Sequence, residues 1–233
     1  NNGASNGIVL RIDTSTGDQA LATLGETYAQ VYADLDEAIK LFNESGIDRS
    51  EFYETNIDVA YAVYARAALT REDWANAAKY AALVKANYPL MSQKDYVDGG
   101  FSTPNDEWIW GVYEAEDQTL YYYGLWAYMG SNASSSNCRS YPCAIDKELY
   151  DQIPETDVRR NMWIAPTADE YANSINKTSG AATGTFSTRA KAEYGSKLYS
   201  TSLIFMYMQV KFQCTFYPGG GSFHIFRSAE MYL

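Results

Sequence analysis

Apolar positions recur at helical spacing in two places early in the chain and lose that rhythm afterwards. From Thr27 to Phe42, the residues Tyr28, Val31, Leu35, Ala38 and Phe42 form one stripe. Asp34, Glu37 and Lys40 lie on the opposite face, which predicts an amphipathic helix. Thr27 with Gln30 reads as its capping box, and Gly46 suits the turn after it. From Asn56 to Pro89 the pattern predicts two helices folded back on each other. Ile57, Ala60, Tyr61, Tyr64, Ala67 and Ala68 mark the first. Trp74, Ala77, Ala78, Ala81, Val84 and Tyr88 mark the second. Thr55 with Asp58 and then Asp73 are the expected caps, and Pro89 is the stop. Small alanines let the two backbones approach, with Tyr64 and Trp74 expected to fill the wider ends of the wedge.

Beyond Pro89 the period changes. Residues 1–25 and 165–200 read as extended or loop-like. Glu107 to Tyr113 alternates faces like a strand. Ser131 to Asn137 is flexible by composition. Ile145, Leu149 and Ile153 predict a short helix stopped by Pro154. Leu203 to Phe212 is an apolar run, either strand or helix, and Pro218 to Gly221 is a turn. Ile225, Ala229 and Tyr232 begin a stripe that predicts a helix from Phe226, continuing in a longer protein. The expected division is a lead-in over 1–26, helices over 27–90, an irregular region over 91–222 and a helix start over 223–233. The hairpin resembles one tetratricopeptide repeat, with Trp74, Ala77 and Pro89 in the places of its aromatic, small residue and proline. The repeat's usual turn glycine is replaced by Thr70-Arg71-Glu72-Asp73.

Composition narrows the partners. The net charge of −11 repels nucleic acid. No apolar run approaches the ~20 residues of a membrane helix. Among 233 residues there are 21 tyrosines and 5 tryptophans, many outside any helical period, so packing does not obviously account for them. Of the three cysteines, Cys138 and Cys143 stand close together and Cys214 alone. Three free thiols and a 138–143 disulfide in an oxidising compartment are both compatible with that spacing. With no second close pair and a single histidine, His224, no zinc site is expected. No cofactor and no metal are expected.

The aromatic cluster Tyr121, Tyr122, Tyr123, Trp126 and Tyr128 sits in a non-periodic stretch. The C–H face of a sugar ring is apolar and slightly positive, so exposed aromatic faces stack against it. These five residues, with Trp163 as a sixth, are the candidate ligand-binding set; the alternative is that they pack the loop onto the helices. Trp108 and Trp110, on the expected strand, read as core. Asn132, Asn137 and Arg139 are candidate hydrogen-bonders to hydroxyls. A glycoside hydrolase needs two carboxylates at a set separation. With 29 acidic residues, no feature singles out a pair. Asp157 with Arg159 reads as a local ion pair, and His224 and Glu230 read as structural.

Six segments together are similar to the SusD/RagB family of Bacteroidetes outer-membrane lipoproteins. They are Tyr28 to Ile39, the hairpin with Asp73-Trp74 and Ala77-Ala78, Asn105 to Trp110, Asp157 to Arg160, Lys211-Phe212 and Phe226 to Leu233. The resemblance implies a mainly α fold, with tetratricopeptide-like helical hairpins, a loop-rich irregular segment and a few short strands. It implies a cell-surface, glycan-binding subunit of a TonB-dependent nutrient uptake system, partnered by a SusC-like transporter and without catalysis. The ligand expected is a neutral oligosaccharide or polysaccharide, with the membrane reached only through a lipid anchor absent from this chain. The alternatives from other classes are a glycoside hydrolase and a helical-repeat interaction scaffold.

Overall fold

The computed structural model describes residues 3–118, 123–200, 203–216 and 219–233. Among the described residues the chain is mainly helical, with one two-stranded antiparallel sheet and irregular loops. It divides into two compact units. The helical unit comprises residues 1–90, 106–110 and 225–233; the loop-rich unit comprises 91–105 and 111–224. Among the described residues no helix is long and apolar enough to cross a membrane.

In the helical unit, α1 spans Leu24–Ser45, α2 Ile57–Arg71 and α3 Trp74–Lys85. The first helix starts earlier than the stripe alone predicts. Its capping box is Thr23 with Glu26, not Thr27 with Gln30. Thr23 and Glu26 satisfy each other's backbone N–H groups, so the helix gains an extra turn. The cap of α2 is Asn56, whose Oδ1 accepts the Val59 N–H at 3.1 Å, rather than Thr55. Asp73 caps α3 as expected. Gly46 closes α1 in the left-handed region at φ 62°.

The alanine-lined crossing is present: Ala62, Ala65 and Ala68 are buried on α2 and Ala77 on α3. The ring that fills the wedge beside Tyr64 is Tyr80, not Trp74. Tyr64 stacks on Tyr80 at 3.9 Å and on Tyr32 of α1 at 4.7 Å, while Trp74 is 63% exposed. Trp74 is the N1 residue of α3 and stays at the surface. Residues of β1, Trp108–Val112, and β2, Phe223–Arg227, complete this core through Ile109 and Phe226. The expected helix from Phe226 is therefore a correction. The segment enters as strand and ends as a 3-10 turn, Ser228–Tyr232. Glu107 O accepts the Ser228 N–H at 3.0 Å and the Glu107 carboxylate pairs with Arg227 at 2.8 Å. These long-range partners override the local stripe. Glu230 is structural, held on both oxygens by Arg66 at 2.6 Å.

The loop-rich unit holds α4 (Gln93–Val97), α5 (Leu125–Met129), α6 (Ser136–Ser140), α7 (Lys147–Gln152), α8 (Ala168–Asn173) and α9 (Gly184–Tyr194). The stretch 165–200, read as loop, thus contains two helices. Thr167 and Glu170 form the capping box of α8. Arg189 on α9 grips the buried Glu170 carboxylate at 2.8–2.9 Å, and the pairing draws the Glu170 carboxyl below its usual range. A polar helix surface with one inward arginine leaves little apolar periodicity to read. The run from Leu203 to Phe212 is neither regular strand nor helix. Its N–H and C=O groups pair with several segments in turn: Met206 with Gly180, Tyr207 with Ile164, Gln209 with Cys143 and Val210 with Met162. Tyr207 sits at φ 60° to make the turn. In α7 the buried residue is Tyr150, and Leu149 faces out.

Candidate functional site

Five-residue helices cannot bury a stripe, so α5 is held by side chains that reach its backbone. Trp126 Nε1 donates to Gly221 O at 2.7 Å. Ser135 Oγ donates to Ala127 O at 2.5 Å and accepts the Cys138 N–H, which also caps α6. Gln209 Nε2 donates to Met129 O at 2.6 Å. Just beyond α5, Ser131 Oγ donates to Lys197 O, and Asn132 pairs both ways with the Cys214 backbone at 2.7 and 3.0 Å. A side chain at Gly130 would meet Trp126 O at 2.8 Å, so glycine is required where the chain leaves α5. The Ser131–Asn137 stretch, expected to be flexible, is therefore buried and bonded at Ser131, Ala133 and Ser135. Its small polar side chains serve the backbone rather than water.

This anchoring sorts the sequence candidates. Trp126 is 1% exposed, so neither ring face is open to a ligand, and its assignment to the binding set is corrected. An indole with its N–H satisfied by a buried carbonyl belongs to the core. Tyr123 and Tyr128, either side of it, are 79% and 52% exposed. Tyr121 and Tyr122 lie outside the described residues. Trp163 is half-buried, and its backbone bridges to Gln209, the residue whose side chain holds the end of α5. Asn132 is committed to the backbone and unavailable to hydroxyls.

Two tyrosines that sequence reasoning passed over lie on neighbouring segments. Tyr141, at the end of α6, is 78% exposed. Tyr199 is 37% exposed; its N–H donates to Ser131 O, and the Arg139 guanidinium lies over its ring at 5.6 Å. The missed signal was spacing through space. Tyr141 and Tyr199 are remote in sequence from the cluster, and only the Ser131 and α6 contacts bring their segments to α5. The four exposed phenol rings of Tyr123, Tyr128, Tyr141 and Tyr199 thus lie on the loop-rich unit, with the Arg139 guanidinium over that of Tyr199.

The helical unit offers a different kind of concavity, a cavity of about 370 Å³ lined mainly by Ala65, Leu69, Trp74, Ala78, Ala81 and Tyr232. Its one strong polar pair, Arg66 with Glu230, is already mutually satisfied. Its lining also includes Lys85, and its Trp74 ring is exposed.

No family model matches the chain, and no curated protein matches it. Solved structures do. A SusD-like carbohydrate-binding protein from Bacteroides vulgatus superposes with TM-score 0.62 at 24% identity, over 91% of this chain and 39% of that one. A SusD superfamily protein from Bacteroides thetaiotaomicron gives TM-score 0.62 at 16% identity, over 99% and 46%. Surface glycan-binding protein A from Bacteroides thetaiotaomicron, in complex with laminarihexaose, gives TM-score 0.55 at 18% identity, over 91% and 49%. The chain spans less than half the length of each of these structures.

Proposed function

We propose that this chain, which has the SusD-like fold, is part of a cell-surface glycan-binding subunit of a TonB-dependent nutrient uptake system. It binds a neutral oligosaccharide or polysaccharide without cleaving it, at the outer membrane, in partnership with a SusC-like transporter. The observation that carries the reading is the two exposed rings of Tyr123, just before α5, and Tyr128, on α5, beside a tryptophan locked into the core. Stacking on a sugar needs rigid, accessible aromatic faces; Tyr128 sits on the pinned α5, and Tyr123 two residues before it. Tyr141 and Tyr199 extend the surface, and Tyr121, Tyr122 and Trp163 remain part of the proposed set. A chain of net charge −11 favours a neutral sugar over an anionic one within about a Debye length, roughly 8–10 Å. The fold likeness to a protein solved with laminarihexaose supports an oligosaccharide ligand.

The test is calorimetric titration of a panel of neutral oligosaccharides into the parent, Tyr123→Ala and Tyr128→Ala. Loss of one stacking ring is expected to remove about 0.5–1.5 kcal/mol, a weakening of roughly two- to tenfold. Unchanged affinity in both variants, with circular dichroism intact, moves the site off this surface. Release of reducing sugar that stops when one carboxylate is replaced overturns the non-catalytic reading.

A further inference from the structure

The three thiols of the chain lie in the loop-rich unit, and two of them meet the same helix. The Cys138 sulfur, buried in α6, lies 3.6 Å from Trp126 O and 3.5 Å from Ala127 O. The Cys143 sulfur, on an exposed residue, lies 3.6 Å from Tyr128 O. Trp126, Ala127 and Tyr128 are successive residues of α5, so both sulfurs contact the same short helix. Their backbones are pinned as well. Cys138 N–H donates to Ser135 Oγ at 3.2 Å, and Cys143 O accepts the Gln209 N–H at 2.8 Å. Glycan stacking makes no use of either thiol.

We propose that Cys138 and Cys143 are a redox pair that closes into a disulfide by exchange with a small-molecule disulfide. The exposed Cys143, as thiolate, attacks one sulfur of that reagent. A mixed disulfide forms and one reagent thiolate leaves. Cys138 then gives its proton to solvent and attacks the Cys143 sulfur, releasing the mixed disulfide's second reagent thiolate. The protein loses two hydrogens, and the reagent disulfide is reduced to two thiols. Closure ties the turn carrying Tyr141 to α6 beside Tyr128. Burial pushes the Cys138 thiol up, so the accessible Cys143 makes the first attack. Cys214 is the bystander. Its thiol is pushed up to about 11 by burial, and its backbone is committed to Asn132.

The experiment incubates the folded parent with oxidised glutathione and reads intact mass, then maps peptides without reduction. The expected product lacks two hydrogens, joins the peptides of Cys138 and Cys143, and keeps one free thiol at Cys214. Dithiothreitol restores three thiols. Cys138→Ala should arrest the reaction as a glutathione adduct on Cys143, and Cys214→Ala should leave the bridge unaffected. A lasting adduct on parent Cys143, a bridge to Cys214, or three thiols surviving oxidation overturns the proposal. The parent's peptide map decides it even where a variant folds poorly.

Discussion

In the helical unit the backbone satisfies itself inside three helices, and apolar side chains interlock between them. In the loop-rich unit Ser131, Asn132, Ser135, Gln209 and Arg189 reach across to other segments' carbonyls, N–H groups or carboxylates. The first kind of construction turns apolar side chains inward along each helix stripe. The second frees whole side chains for the outside, because polar groups inside take over the holding. Tyr123, Tyr128 and Tyr141 are exposed on the loop-rich unit, and Tyr53 and Tyr232 are exposed on the helical unit outside its core. The tyrosines of the helical core, Tyr64 and Tyr80, are buried in a stack.

The comparison breaks most visibly at Trp126. If it is a keystone of the loop-rich core, Trp126→Ala should lose about 3–5 kcal/mol of stability in urea titration. A variant as stable as the parent, with weakened sugar affinity, would return Trp126 to the binding surface. In the helical unit, Ala68→Leu should overpack the crossing at a site with no exposure and cost about 1–3 kcal/mol. An unchanged melt would mean that the backbones are not closely opposed there.

Acid should separate the units. The Glu170 carboxyl is held below its usual 4.5, chiefly by the Arg189 hydrogen bonds. Its contribution is present above pH 4.5 and is lost as the pH falls through the depressed folded value. Asp58 in the helical unit is shifted the other way, upward from 3.8, chiefly by burial. Its contribution is fully present below 3.8 and fades as the pH rises through the raised value. Amide exchange followed from pH 6 to pH 3 should therefore show α8 and α9 losing protection before α2. Simultaneous loss, or α2 first, contradicts that ordering. The smallest effect expected is a gain. Glu72 closes α2 in the left-handed region at φ 65°. Glu72→Gly should relieve that strain and add up to about 1 kcal/mol, read as a raised melting temperature.

The amino-acid sequence by itself determined what is local. Three early helices follow from apolar spacing over many residues, and the Asp73 cap, the Gly46 turn and the Asp157–Arg159 ion pair each rest on neighbours a few positions away. The strand at 108–112 follows from its alternation. What only the tertiary structure decided is wherever the partner is distant. A short segment such as α5 carries one ring inward, Trp126, and one outward, Tyr128, and no period distinguishes them; Gly221 chose Trp126 by accepting its N–H. Leu203 to Phe212 has apolar content for strand or helix but received several different backbone partners and became neither. Ile225 to Leu233 spells a helix locally, yet Glu107 and Arg66 hold it as strand and turn. Local free-energy differences between such conformations are about 1 kcal/mol or less per residue. Two or three long-range hydrogen bonds and a buried ring exceed that, and those contacts are set by the fold.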